Sequence, residues 1–132
     1  MKPKTAPSRR ILIVEDVQET RDAIERLLEY DAYTVDAVRD EADAILRARW
    51  HRPDLILISL GGTADELTAT ARNIRAGAGL PPQVPVVIFS VSTLPEGAER
   101  DLGENIYAVR PENFNQLRAL VTRALQAAAE NA

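Results

Sequence analysis

Short aliphatic runs recur along the chain and are separated by stretches with helical spacing. The runs occupy residues 11–14, 33–38, 55–58, 86–89 and 106–109. The first, third and fourth runs are apolar at every position and lack the polar alternation of a strand that faces water on one side. Such runs are typical of strands that are buried on both faces of a parallel sheet.

Between these runs, apolar residues follow one face of a helix. In residues 18–30, Ile24, Leu27 and Leu28 share a face that is opposite to most of the charged residues. Three more long helices are predicted: one that Asp40 caps, with Ala42, Ile45 and Leu46 inward; one that the capping-box spacing of residues 63–66 opens; and one of about 15 residues after Phe114.

A fifth helix, fourth in chain order, is predicted over residues 93–102. Its inward residues would be Leu94, Ala98 and Leu102. Pro95 and Gly97 interrupt it near its start, so we expect it to be the least stable of the five helices.

Five strands that alternate with five helices favour an α/β fold with a five-stranded parallel sheet and helices on both faces. Right-handed crossovers favour the doubly wound, flavodoxin-like strand order 2-1-3-4-5. In such a sheet the functional site lies at the carboxyl ends of the strands. The residues found there are Glu15, Asp16, Ser59, Ser90 and Arg110.

Composition indicates one soluble globular domain of 132 residues, with 45% hydrophobic and 27% charged residues. The net charge of −4 offers no basic surface for nucleic acid, and no apolar run is long enough to span a membrane. The chain has no cysteine, which fits a reducing compartment, and we expect a cytoplasmic location. We expect a flexible leader over residues 1–9, the folded domain over residues 10–127 and a tail over residues 128–132.

With these residues in this order, the chain resembles a response-regulator receiver domain (CheY-like) of two-component signalling. The resemblance runs from about residue 10 to residue 125 and rests on the motifs ILIVED, PDLILIS and Arg-Pro and on two single residues. It implies that Glu15 and Asp16 form an acidic pocket and that Ser59 occupies the phosphoacceptor position. It also implies that the switch and phosphate-contact residues correspond to Ser90, Tyr107 and Arg110.

The site departs from the family pattern in three ways. The acceptor is an aspartate in the family, whereas the hydroxyl of Ser59 is protonated at neutral pH and needs a neighbouring base before it can attack. The residues LGGT replace the family's Met-Pro and Asp-Gly signature after the acceptor, and Arg110 replaces its lysine. Without the aspartate, Glu15 and Asp16 offer Mg²⁺ only weak ligation, and we expect Arg110 to pair with one of them. The departures predict a degenerate receiver.

We therefore expect a stand-alone, non-enzymatic module that acts without phosphorylation, through contacts with a histidine kinase or another signalling protein. The resemblance implies an interaction or homodimer surface on the fourth helix, fifth strand and fifth helix, where Arg100, Asp101, Tyr107 and Arg118 would lie. One alternative is a receiver that a kinase still phosphorylates, on Ser59 or elsewhere. Another is a flavodoxin-like nucleotide or flavin binder, although the loop after the first strand is acidic where a phosphate-binding loop needs glycines.

Overall fold

Strands and helices alternate along the residues that the computed structural model describes, which are 9–89 and 93–130. Ser90 and all of the expected leader except Arg9 therefore lie outside the described residues. The elements are β1 (Arg10–Glu15), α1 (Gln18–Tyr30), β2 (Thr34–Val38), α2 (Glu41–Trp50), β3 (Leu55–Ser59), α3 (Ala64–Ala78), β4 (Val86–Phe89), β5 (Glu99–Asp101), β6 (Ile106–Val109) and α4 (Phe114–Glu130).

The strands form one sheet with the order β2-β1-β3-β4-β6-β5. The first five of these pair in parallel, and β5 pairs antiparallel with β6 at the edge. The predicted α/β fold and the order of the parallel strands are confirmed. The predicted count of five strands and five helices is wrong, because the described residues form six strands and four helices.

The difference comes from residues 93–102, which form turns and strand β5 instead of the predicted helix. Gly97 has φ +86, a left-handed conformation that a continuing helix does not contain. The N–H of Arg110 donates to the carbonyl of Ala98 at 3.0 Å, which fastens the segment to the end of β6. The inward residues were predicted correctly, because Leu94 is buried and Ala98 and Leu102 pack against the same core.

Both faces of the sheet are covered by helices. Even-numbered residues of β1 and β3, such as Leu12 and Ile56, pack with α2 and α3. Odd-numbered residues, such as Ile13 and Leu57, pack with α1 and α4. This two-sided burial is the reason that these strands are aliphatic throughout.

Helix α2 packs on the sheet through small residues. Ala44 and Ala48 are fully or almost fully buried, and Ile45 packs beside them. The predicted inward positions Ala42 and Leu46 are exposed. The small alanine side chains let the helix approach the sheet closely. With Ala44 and Ala48 on the face toward the sheet, the larger Leu46 lies on the face toward solvent.

The predicted helix starts are confirmed. The Asp40 side chain accepts the N–H of Asp43 at 2.8 Å and caps α2. At the start of α3, Thr63 and Glu66 form a reciprocal capping box. None of the helices in the described part of the chain combines the length and the apolar character needed to cross a bilayer.

A buried arginine connects two turns at the amino end of the sheet. Arg75, near the end of α3, is 8% exposed. Its guanidinium donates to the carbonyls of Val84 at 2.6 Å, Glu104 at 2.6 Å and Asn105 at 3.2 Å. Burial lowers the pKa of Arg75 from its ordinary value. These contacts hold the turns that lead into β4 and β6.

Candidate functional site

Glu15 and Ser59 lie side by side at the carboxyl ends of two central strands. β1 and β3 are parallel neighbours, and their register aligns Glu15 with Ser59. Glu15 is 4% exposed and Ser59 is 9% exposed. The last residues of two buried strands therefore form a polar pair at the edge of the sheet where the sequence predicts the site.

Hydrogen bonds use both oxygens of the Glu15 carboxylate. The hydroxyl of Ser59 donates to Oε1 at 2.6 Å, and the backbone N–H of Val17 donates to Oε2 at 3.0 Å. Val17 is the N-cap of α1, so the positive end of that helix lies beside the acid. The guanidinium of Arg21 donates to the main-chain carbonyl of Glu15 at 2.8 Å. Each oxygen of the buried acid thus accepts a hydrogen bond.

Glu15, the last residue of β1, and Asp16, which follows it, lie in different surroundings. Asp16 is exposed, whereas Glu15 is buried and fully bonded. Residues 9–89 and 93–130 contain no cluster of three or more His, Cys, Asp or Glu side chains that could hold a metal ion. Because position 59 supplies a donating hydroxyl instead of a third carboxylate, the residues present do not fit the Mg²⁺ that the resemblance implies.

Arg110 bonds to a main-chain carbonyl and not to either acid. Its guanidinium donates to the carbonyl of Leu94 at 3.0 Å, and the residue is exposed. Among the described residues Arg110 forms no ion pair, so the expected pairing with Glu15 or Asp16 is wrong. The physical reason is the turn before β5, which brings the Leu94 carbonyl within reach of the guanidinium.

Tyr107, the expected switch aromatic, lies half-buried on β6. Its hydroxyl donates to Oδ1 of Asn105 at 2.9 Å, and its register partner on β5 is Asp101. Ser90, with which the resemblance couples it, lies outside the described residues. The predicted coupling of Tyr107 with Ser90 therefore stays a prediction.

The surface that was expected to bind partners is divided in the structure. Arg100, Asp101 and Tyr107 line one groove of about 350 Å³ between β5 and α4. Arg118 lies elsewhere, because its guanidinium forms a bidentate pair with Asp31 at 2.6 and 2.8 Å. This hydrogen-bonded pairing lowers the pKa of Asp31 from its ordinary value. Arg118 therefore does not line the groove that the other three residues share, and a common interaction surface for all four stays a prediction.

The hydrogen bond from Ser59 to Glu15 is the main feature that sequence reasoning missed. The sequence instead predicted that Arg110 pairs with Glu15 or Asp16, and it gave Ser59 no neighbouring base. The available signal was the strand order 2-1-3, because it makes the two strands neighbours and their last residues register partners. The structure thus brings Ser59 and Glu15 together and separates both from Arg110.

Comparison with known proteins connects this geometry to a family. Residues 11–122 match the family model described as the response regulator receiver domain. Response regulator ArlR of Staphylococcus aureus (strain Mu50 / ATCC 700699) is 29% identical over 117 residues, which are 89% of this chain and 52% of ArlR. The chain spans about half the length of the curated relatives that it matches.

Solved structures show the same fold. The receiver domain of sensor histidine kinase PA1611 from Pseudomonas aeruginosa PAO1, which holds a magnesium ion in its active-site cleft, is 25% identical with a TM-score of 0.65. That match covers 90% of this chain and 98% of the other. The N-terminal domain of a response regulator/sensory box/GGDEF protein from Carboxydothermus hydrogenoformans is 26% identical with a TM-score of 0.69, and covers 93% of this chain and 98% of the other. From the match over residues 11–122, this chain belongs to the response regulator receiver domain family of two-component signalling.

Proposed function

We propose that this chain is a degenerate receiver domain that acts without phosphorylation, through contacts with other proteins, and that it is not an enzyme. The observation that carries the proposal is the bond of 2.6 Å from the Ser59 hydroxyl to the Glu15 carboxylate. A receiver acceptor must be an anionic nucleophile that faces an incoming phosphoryl group. Here the equivalent side chain is a neutral donor that is already engaged.

The surroundings of Ser59 support the same proposal. Phosphoryl transfer requires cations or donors that stabilise charge on the transferring group. Arg110 is bonded to the Leu94 carbonyl, and the buried carboxylate of Glu15 would repel a phosphoryl oxygen. The local field therefore opposes the approach of an anionic donor to position 59.

Incubation with acetyl phosphate and Mg²⁺, followed by intact mass spectrometry, tests the proposal. We expect no phosphoryl adduct on this chain, while a receiver domain that carries the acceptor aspartate, treated in parallel, gains one. An adduct on this chain that is absent from Ser59→Ala would contradict the proposal. An adduct that persists in Ser59→Ala would contradict it too, because another residue would then accept the group.

A second candidate is phosphorylation of Ser59 itself, and one contact favours it. Glu15 Oε1 is within proton-transfer distance of Ser59 Oγ and can act as the base that a serine nucleophile needs. Oγ would attack the phosphorus of an acyl phosphate, an O–P bond would form, and the carboxylate would leave as the bond to it breaks. The Ser59 proton would pass to Glu15.

The two candidates differ in the product and in its dependence on Glu15. A phosphoserine ester resists hydroxylamine, whereas an acyl phosphate is cleaved by it. If Ser59 is the acceptor, Glu15→Gln slows the formation of the adduct by about a hundredfold or more, because general-base assistance is lost. Under the first proposal neither the parent chain nor Glu15→Gln forms an adduct.

For the partner, we infer a histidine kinase or another signalling protein, with self-association as the alternative. The surface that we assign to this contact is the groove between β5 and α4, which is lined by Tyr107, Leu120 and Arg123 among others. It combines apolar and charged side chains, which is the usual mixture at the centre and rim of an interface. Tyr107→Ala should weaken partner binding at this surface. Tyr30→Ala, which changes a tyrosine on α1 that does not line the groove, serves as the matched control.

A further inference from the structure

A second groove lies at the opposite edge of the sheet. It has a volume of about 410 Å³ and is formed by the end of β2, the outer face of α2 and the start of α1. We call it the β2 groove and define it by Arg21, Ala37, Arg39, Leu46, Arg47 and Trp50. None of these residues belongs to the pair formed by Glu15 and Ser59.

The α2 wall of the β2 groove carries two exposed apolar side chains. Leu46 is 54% exposed and Trp50 is 81% exposed. They are four residues apart on one helix, so they lie on the same face. Exposed tryptophan beside arginine is unusual on a free surface and common at the energetic centre of protein interfaces.

The groove borders the outer edge of β2 at Ala37 and Val38, and no other strand among the described residues pairs with that edge. β2 is the outermost strand on its side of the sheet. The N–H of Thr34 donates to the Arg9 carbonyl on the β1 side at 2.9 Å. Because the polar groups of a strand alternate in direction, those of Val35 and Ala37 face the open edge. An extended segment can bond to them as an added strand.

Three arginines and one aspartate line the β2 groove, which makes it basic. Arg39 is 72% exposed at its side chain, and its nearest acid, Asp43, is 3.9 Å away. Asp36, the one acid within β2, is buried and already bonded to Arg10 at 2.8 Å and Arg47 at 3.4 Å. The charge left to face a ligand is therefore positive, although the chain as a whole is negative.

We propose that the β2 groove binds an extended, acidic segment of a partner protein, which adds to the sheet beside β2 and covers Trp50. Backbone groups of Val35 and Ala37 provide hydrogen bonds, the arginines select acidic residues, and Leu46 with Trp50 receives an apolar side chain. The inference does not depend on whether Ser59 is phosphorylated.

Charge distinguishes this occupant from two others. The ionisable side chains of residues 1–8 are Lys2 and Lys4, so the leader of the same chain has the wrong sign. A second copy that paired edge to edge would bring a second set of the same arginines to the groove, since such a pairing presents one patch to itself. An acidic partner segment meets neither repulsion.

Trp50 gives a direct measurement, because it is the only tryptophan in the chain. The probe is a capped synthetic peptide of about eight residues, a typical strand length, in which valine alternates with glutamate around one phenylalanine. We expect saturable binding with a blue shift of the tryptophan emission. Replacing every glutamate of the peptide with lysine should abolish the shift, and methylating its backbone nitrogens should weaken binding by about tenfold or more.

Arg39→Glu should weaken the peptide by about tenfold or more, because a well-exposed side chain changes sign within the groove. The matched control is Arg52→Glu, which makes the same change at an exposed position between α2 and β3 that does not line the β2 groove, and should leave the affinity unchanged. Circular dichroism and thermal unfolding verify that both variants fold.

Five results would overturn the proposal, and the first four concern the peptides and the protein alone. They are the absence of a saturable shift, equal binding of the lysine peptide, equal binding of the methylated peptide, and a blue shift that follows protein concentration without peptide. The last would identify a second copy as the occupant. An equal response to inorganic polyphosphate would also overturn it, because it would show an unselective anion site.

Discussion

At the carboxyl end of the sheet the buried ionisable residue is Glu15, and at the amino end it is Arg75. Glu15 is held by the Ser59 hydroxyl and the Val17 N–H. Arg75 makes four hydrogen bonds, and every acceptor is a main-chain carbonyl. The first arrangement depends on a side chain that one substitution can replace, whereas the acceptors in the second are present whatever the sequence.

This difference distinguishes the functional site at Glu15 and Ser59 from Arg75, which acts as a structural clamp. Three of the four hydrogen bonds of Arg75 reach the carbonyls of Val84 and Glu104, and all four hold turns in place. We therefore expect substitution of Arg75 to lower stability strongly and to leave partner recognition unchanged. Glu15 and Ser59 occupy the end of the sheet where α/β proteins bind ligands. Their substitution changes the chemistry of the fold at a smaller cost in stability.

The largest expected effect comes from Arg75→Met, which keeps an unbranched, flexible apolar stem and removes the donors of the guanidinium. The buried carbonyl of Val84 and the partly buried carbonyl of Glu104 would lose the donors that Arg75 supplies, and leaving a buried acceptor unsatisfied costs about 1 to 3 kcal/mol. We expect the free energy of unfolding to fall by about 3 kcal/mol or more, measured by urea denaturation with circular dichroism.

Arg72→Met is the matched control on the same helix. Arg72 pairs with the Glu104 carboxylate at an exposed position, and this pairing lowers the pKa of Glu104. Exposed ion pairs contribute little to stability, so the control should shift the urea midpoint far less than Arg75→Met. Equal shifts in the two variants would show that the buried clamp has no special role.

An intermediate effect is expected from Ser59→Ala, because Glu15 keeps its burial and loses one of its two donors. A hydrogen bond to a charged group contributes about 1.5 to 3 kcal/mol, so stability should fall by about 2 kcal/mol. Thr70→Ala removes a hydroxyl that donates an exposed hydrogen bond to the Glu66 carbonyl within α3, and should change stability by less than about 0.5 kcal/mol. Stability that is unchanged in Ser59→Ala would mean that the hydroxyl does not support the acid.

The smallest effect is a loss of stability in acid at the amino end. The Arg118 hydrogen bonds lower the pKa of Asp31 in the folded chain. The stabilisation is therefore fully present above the unfolded pKa, about 4, and disappears as pH falls through the lower folded value. Urea midpoints measured from pH 6 down to pH 3 should decline more steeply for the parent chain than for Asp31→Asn. Parallel declines would show that this pair does not contribute.

The parallel part of the sheet could be predicted because its central strands are buried on both faces, and such strands consist of consecutive aliphatic residues. Strand β5 could not be predicted from the sequence in this way. Leu94, Ala98 and Leu102 have the spacing of a helix face, and their burial is correct for that reason. The backbone between them is set by the left-handed Gly97 and by the bond from Arg110 to Ala98, which joins residues that only the tertiary fold brings together.

The location of the site could be predicted from the sequence, but the hydrogen-bond partners of its residues could be predicted only in part. Strand ends fix where Glu15 and Ser59 lie, but the choice of Ser59 over Arg110 as the partner of Glu15 depends on register and on the turn before β5. Arg75 gave no signal, because an arginine in the last turn of a helix is ordinarily exposed. Its burial follows from turns that arrive from two distant parts of the chain.

Strand β5 also affects how the protein behaves in crowded solution. Its sequence is Glu-Arg-Asp, and all three side chains are exposed. If two copies met antiparallel along this edge with all three residues paired, Arg100 would face Arg100 and each Glu99 would face an Asp101. Like charges opposite one another destabilise a strand pair, so this edge resists extension into a continuous intermolecular sheet. The same three residues that complete the fold thereby limit its aggregation.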